Sequence, residues 1–319
     1  MISTKVPKIS VVMSVYNEPL KWIQESIDSI LQQTFTDFEF IIINDNPQNK
    51  ELYNFLVKNE AKDNRIIIIN NDTNIGLTKS LNKGLDKAKG EYIARMDADD
   101  ISLLDRFEKQ VMILENDIKI GVCGTGIKTF GRFENIIFHP ETMDEMCLFL
   151  DSPIAHPTVM LRKKILNGIG YDEGFKVSQD YALWARLYKE GNQFYNIQEV
   201  LLNYRYSDVQ ISSKRKSLQY ELAKKIRREI LMYEIAKINS DKKLAEKLTW
   251  NELKYLKKKI SLPKKSREKF VYYLYLSLHE SLFVKLFHLL SSGDILRISI
   301  PNSLRILYYQ IKGLDLSKY

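Results

Sequence analysis

The feature that most constrains this chain is a regular alternation running through its first hundred residues. Short apolar runs rich in β-branched side chains, Ile9–Val15 (ISVVMSV), 38–43 (FEFIII), 65–69 and 92–96, alternate with longer stretches. The first of those stretches, 20–33, places Leu20, Ile23, Ile27, Ile30 and Leu31 at helical spacing, and 50–62 and 76–88 also read as helices. Short runs apolar on both faces are the pattern of strands buried in a parallel sheet, and their alternation with helices predicts βαβ units. Right-handed crossovers then bring the carboxyl ends of the strands to one rim, where open α/β sheets bind ligands. The predicted fold class is therefore α/β, a mostly parallel sheet flanked by helices.

After residue 102 the pattern loosens. Ser102 is predicted to cap a helix through Glu115, with strands over 121–129, 158–161 and 201–206 and a short helix over 180–189. From residue 214 the pattern is wholly helical (214–239, 241–259, 265–290, 302–312), with Pro263, Gly293 and Pro301 as breaks. The expected organisation is a body over 1–213, with a first half over about 1–101 and a second half over about 102–213. A helical region over 214–319 follows it.

Composition narrows the class. With 45% hydrophobic and 28% charged residues, the 319-residue chain is an ordinary globular protein. Two cysteines, Cys123 and Cys147, make neither a disulfide framework nor a four-ligand zinc site, so a reducing cytoplasm is the expected setting. No signal peptide and no membrane-length apolar run is read. The net charge of +8 is uneven: residues 214–269 carry 19 Lys and Arg against 7 Asp and Glu. Such a stretch suits an anionic partner or a solvated helix face.

The chemistry concentrates in Asp97-Ala98-Asp99-Asp100, directly after a predicted strand. In an extended chain residues i and i+2 point to one side, so Asp97 and Asp99 can face one ligand. A hard divalent cation, Mg²⁺ or Mn²⁺, relieves the repulsion between such acids and takes one or two carboxylates plus phosphate oxygens. The same residues also suit a capped helix start with solvated acids. An EF-hand from Asp97 fails, because Ser102 stands where glycine is required and Ile101 where an oxygen ligand is required. There is no G-x-G-x-x-G after the first strand and no P-loop. At the other strand ends, Tyr16 can stack on a base and Asp45 can accept a hydrogen bond from a ring N–H. Each is also an ordinary turn residue.

Taken in order, ISVVMSVYNE, IIINDN, NIGLTKSLNKGLDKAKGEYIARMDADD and SQDYALWARL resemble a family-2 glycosyltransferase of the GT-A fold, bacterial surface-polysaccharide type. The resemblance covers roughly 8–213. It implies an inverting enzyme that moves a sugar from a nucleotide-diphospho-sugar, UDP- or dTDP-linked, onto an acceptor hydroxyl with Mn²⁺ or Mg²⁺. On that pattern Tyr16 and Asp45 bind the base, Glu18 lies in the nucleotide pocket and Lys79 near the diphosphate. Asp97 lies by ribose and metal, Asp99 ligates the metal directly, and Asp180 is the catalytic base, oriented and kept ionised by a helix N-terminus. His156, in an Ala-His-Pro-Thr segment, is a candidate contact to a sugar or a structural histidine, and Trp184 reads as core.

Three positions depart from the family pattern. Gln179 stands where a Glu commonly precedes the base, Ser207 where a late Y-R-x-H element has its His, and Asn44 where strand two usually has a first Asp. In the tail, the aromatic-rich segment 270–290 (FVYYLYLSLHESLFVKLFHLL) behind a run of lysines suits either an anionic membrane face or packing within a helical subdomain. Membrane docking accords with a lipid-linked glycan acceptor and a place at the inner face of the cell membrane. No nucleic-acid partner is expected. The rival readings are a catalytically silent, membrane-associated partner of an active transferase and a sugar nucleotidyltransferase. The latter lacks its glycine-rich loop, since Tyr16-Asn17-Glu18-Pro19 follows strand one.

Overall fold

The computed structural model describes residues 6–143, 147–148, 152–206 and 216–238. Two compact units result, residues 1–143 with 152–214, and residues 144–151 with 215–319. In the first unit the elements run β1 (Ile9–Val15), α1 (Leu20–Leu31), β2 (Phe38–Asn44), α2 (Lys50–Glu60), β3 (Ile66–Asn70), α3 (Leu77–Lys87) and β4 (Tyr92–Arg95). They continue with β5 (Ile101–Ser102), α4 (Arg106–Asn116), β6 (Ile120–Gly131), β7 (Asn135–Ile137), β8 (Met160–Arg162), α5 (Gln179–Lys189) and β9 (Gln193–Tyr206). The described part of the second unit holds α6 (Lys216–Ile238). The predicted helices over 241–259, 265–290 and 302–312, and Ser207, lie outside the described residues.

The strands form one sheet in the order β3-β2-β1-β4-β8-β6-β9-β5, with β7 paired to β6. The first four are parallel and in register, Ile9 opposite both Phe38 and Tyr92, and Phe40 opposite Ile66. The apolar runs of β1, β2 and β4 are buried on both faces, as a sheet covered on each side requires, while the edge strand β3 is half-buried. Alternate residues divide the work. Val11, Met13, Phe40 and Ile42 join Ile23, Ile27 and Ile30 of α1, Leu52 and Leu56 of α2, and Phe107, Val111 and Leu114 of α4 in one core. On the opposite face α3 lies so close that a Cβ at Gly84 would sit 2.6 Å from Val12 and 2.8 Å from Ile43. The carboxyl ends of β1 to β4 therefore share one rim.

The second half departs from expectation in instructive ways. Ser102 does not cap a helix. It pairs with Leu202 in β5, its N–H donates to Ser29 Oγ at 3.1 Å, and α4 begins at Arg106. Strand β9 is longer than the predicted 201–206, because 193–200 pairs in parallel with β6 through several register shifts. Those bulges break the two-residue alternation that marks a strand in sequence. Strands β4 and β8, and β8 and β6, pair antiparallel, which turns the chain back toward the rim.

Candidate active site

The rim begins with the turn after β4. The chain does not run on extended after Arg95: the Asp100 N–H donates to the Asp97 carbonyl at 3.4 Å, closing a turn. Its three carboxylates have separate environments. Asp97 and Asp99 are half-buried, whereas Asp100 is fully buried. Asp97 pairs with Arg95 at 2.5 Å, and its carbonyl accepts from Ser26 Oγ at 2.9 Å. Asp100 Oδ1 accepts from the Arg205 backbone N–H at 2.8 Å, while Oδ2 has no hydrogen-bond partner. Burial, together with the charges of Asp97 and Asp99, pushes the Asp100 carboxyl well above the ordinary carboxylate range. Burial and the same three acids raise the Tyr204 hydroxyl. The turn is thus a concentration of negative charge with two accessible carboxylates.

Arg95 links this turn to the second half of the domain. Its guanidinium is buried and feels Asp97, Tyr171 and Asp100. Asp180 stands in the first turn of α5, behind Ser178, whose φ of 57° is unusual for a residue other than glycine. Backbone N–H groups of Asp180 and Tyr181 favour its charged form, and Arg95 adds to that, but burial outweighs them and the carboxyl is raised. The helix-start N–H groups do favour the ionised carboxylate, in line with the sequence, but desolvation is the larger effect and sets the direction of the shift. Asp97 also raises Asp180, so the two carboxylates lie within electrostatic reach despite their distance in sequence. His156 Nε2 lies 2.8 Å from the Tyr171 hydroxyl, and its ring packs edge-on against Tyr171 and Trp184. Burial, reinforced by Arg95, holds the imidazole well below its usual range, hence neutral. Trp184 is fully buried, as read from the sequence.

The remaining site residues line the rim on the side of β1 and β2. The Tyr16 ring is exposed and its backbone N–H donates to Glu18 Oε2 at 2.8 Å. Burial raises the Glu18 carboxyl, against the pull of neighbouring N–H groups. Asp45 is buried and knots the loop before α3: Oδ1 accepts from Asn71 Nδ2 (2.9 Å) and the Ile75 N–H (2.8 Å), Oδ2 from the Gly76 N–H (2.9 Å). Its acceptor capacity is largely committed within the chain, leaving room on Oδ2 alone. Asn44, in place of the usual acid, bonds Asn70 and the Asn46 N–H. Lys79 is exposed and lies 3.9 Å from Glu173. The segment carrying Tyr171 is sewn to α3 by Asn82, which donates to the Tyr171 carbonyl at 2.9 Å and accepts from its N–H at 2.7 Å.

Sequence reasoning missed Arg95, Asp100, Tyr171 and Arg205. A charged residue closing the apolar strand YIAR, just before three acids, is a signal for Arg95, whereas nothing local marks Tyr171. Cys123 is buried, with its thiol pushed up to about 12, and has no place in the site. Among the described residues no group of three or more His, Cys, Asp or Glu side chains surrounds a metal position. Two half-buried carboxylates on a strongly acidic turn instead fit a hard cation that takes its other ligands from diphosphate and water.

Comparison with known proteins bears on this geometry. The description of glycosyl transferase family 2 matches residues 10–177, covering the acid turn and ending just before Asp180. An uncharacterised glycosyltransferase of Methanocaldococcus jannaschii is 42% identical over 62% of this chain and 71% of its own length. The O-antigen biosynthesis glycosyltransferase WbnJ of Escherichia coli is 41% identical over 62% of this chain and 79% of its own. Among solved structures, TarS of S. aureus (residues 1–349, in complex with UDP-GlcNAc) superposes with a TM-score of 0.63 at 17% identity, over 97% of this chain and 93% of that one. This likeness establishes the shared GT-A fold.

Proposed function

The chain belongs to glycosyl transferase family 2, and from that membership we propose a metal-dependent, inverting transfer of a sugar from a UDP- or dTDP-sugar to an acceptor hydroxyl. The observation that carries the reading is the convergence of the acid turn and Asp180 around Arg95. In one step the acceptor oxygen attacks the anomeric carbon, and the bond from that carbon to the diphosphate breaks on the opposite side, its electron pair leaving with the diphosphate. Asp180 takes the acceptor proton as the new bond forms; a carboxyl raised by burial is a stronger base than a solvated one. Asp99 and Asp97 would hold the Mn²⁺ or Mg²⁺, which when bound offsets charge on the leaving diphosphate. Lys79, on an exposed turn of α3, adds a positive charge to the same group. Tyr16, with its exposed ring, stacks on the base, Glu18 closes the nucleotide pocket, and Asp45 holds the loop beside the base while offering Oδ2 to a ring N–H. His156, neutral and anchored on Tyr171, faces the sugar.

The acceptor is a glycan of surface-polysaccharide synthesis, lipid-linked, met at the inner face of the cell membrane. Support comes from the O-antigen relative and from the basic residues of 214–269. Among the described residues no helix is long and apolar enough to cross a membrane; the proposed membrane contact is peripheral, through the basic residues of 214–269. The organisation proposed for the whole is a catalytic domain over 1–213 followed by a basic helical region over 214–319.

Thermal stability with UDP, dTDP and GDP, each with and without Mn²⁺, tests the reading. A ligand at a hundred times its dissociation constant adds about 2.7 kcal/mol of stability. The expected result is a metal-dependent shift with UDP or dTDP that Asp99→Ala removes. No shift with any nucleotide would favour the silent-partner reading instead.

A further inference from the structure

Arg205, one residue from the end of β9, makes an unusual set of contacts for a side chain at the edge of a sheet. Its backbone N–H donates to Asp100 Oδ1 at 2.8 Å, and its Nε donates to the Asp99 carbonyl at 2.7 Å. A terminal nitrogen bonds Glu25 Oε2 of α1 at 2.5 Å. The guanidinium lies between two rings, 4.7 Å from the centroid of Trp22 and 4.4 Å from that of Phe130. One residue thereby joins α1, β6 and the acid turn. The other end of the turn hangs on the same helix, since Ser26, next to Glu25, donates to the Asp97 carbonyl.

We propose that Arg205 is a positioning residue for the acid turn, holding the Asp99 backbone so that the Asp97 and Asp99 carboxylates are set for a cation and its diphosphate before either arrives. The inference rests on the reading of those carboxylates given above. The neighbouring carboxylates of Asp97 and Asp99 repel one another and push the turn to open, and a turn held only by its own 3.4 Å hydrogen bond resists this weakly. Arg205 opposes the opening by fixing the Asp99 carbonyl and burying the Asp100 carboxyl under its own backbone. A planar guanidinium suits the place, because it stacks on both rings while its nitrogens point to separate acceptors in one plane. An ammonium group has neither property. Arg205 touches no reacting atom in this scheme; it acts through the turn.

The test is Mn²⁺ binding in the presence of excess UDP, followed by calorimetry on the full chain, with transfer kinetics alongside. Arg205→Ala should weaken Mn²⁺ binding by about ten-fold or more, the usual effect of losing a group that orients metal ligands. The KM for acceptor should stay unchanged, and saturating Mn²⁺ should recover most of kcat. Arg205→Lys should behave nearly as the alanine variant. Glu25→Gln removes the charge from one leg of the clasp without emptying the space between the rings, and should weaken Mn²⁺ binding less while leaving the melting temperature unchanged. That variant carries the test if Arg205→Ala does not fold. Unchanged Mn²⁺ affinity in these variants, or a loss of kcat equal at every Mn²⁺ concentration, overturns the inference. A wild-type protein that binds no UDP with Mn²⁺ overturns the functional reading and the inference together.

Discussion

Gly170 offers a stringent test of how the two halves of the catalytic domain are joined. Its φ is not among the left-handed values, so alanine is conformationally allowed there. The obstacle is space. A Cβ would lie 2.2 Å from Asn82 Oδ1 and 3.3 Å from Leu85 Cδ1. Asn82 holds the Tyr171 N–H and carbonyl with two hydrogen bonds, so Gly170→Ala must either strain the segment or push Asn82 off both groups. Two lost bonds cost about 2 kcal/mol, and residual overpacking brings the total to about 2–3 kcal/mol. For a domain of this size that lowers Tm by about 4–12 °C. Asn82→Ala alone should cost about 2 kcal/mol. In that background Gly170→Ala meets only a flexible leucine methyl, and restricting the unfolded chain returns about 0.4–1 kcal/mol. Urea unfolding of the four proteins measures the coupling, expected at about 2.4–4 kcal/mol. An equal cost of Gly170→Ala in both backgrounds would refute the reasoning.

The site yields two further expectations. Asp180→Asn should lower kcat by about 10²–10⁴-fold, or about 2.7–5.4 kcal/mol of barrier, with nucleotide binding intact. A carboxyl raised on folding costs stability in full above its raised pKa, less as pH falls from there, and none below the unfolded value of about 4, so the Asn variant should be at least as stable as wild type at neutral pH. The acid limb of the wild-type kcat profile should correspondingly fall above the ordinary carboxylate value of about 4. A limb at or below that value would remove Asp180 from the role of base. His156 gives the opposite sign: its ring stays neutral in the fold but charges in the unfolded chain below about pH 6.5, so stability should fall as pH drops through that point. His156→Gln should flatten that slope, and an unchanged slope would mean that the ring is protonated in the native state.

Much of this architecture is legible in the residues themselves, for definite physical reasons. Strands β1, β2 and β4 are covered on both faces, so their runs are continuously apolar, and α1 shows its buried stripe at Ile23, Ile27 and Ile30. Strand β9 could be read only in part because its bulges against β6 destroy the alternation. Ser102 reads as a helix cap because that residue type favours caps, yet pairing with β9 and the Ser29 hydroxyl claims it first. The site divides similarly. Acids that cluster in sequence, Asp97 and Asp99, announce themselves. Asp45 shows that a polar strand end can be spent on a loop, since three N–H groups from 71–76 meet it. Arg205 and Tyr171 act through contacts with residues remote in sequence, and a single chain carries no local mark of such pairings.

The central claim is that an acid turn and Asp180 form one site that displaces a nucleoside diphosphate from the anomeric carbon in a single step. The most direct measurement is the anomeric configuration of the first product formed from an α-linked UDP- or dTDP-sugar, followed by proton NMR with either an acceptor or water as the attacking group. The account predicts a β product that appears before any mutarotation and is lost in Asp180→Asn. An α product formed at the outset, or a β product formed at an undiminished rate by that variant, would contradict it.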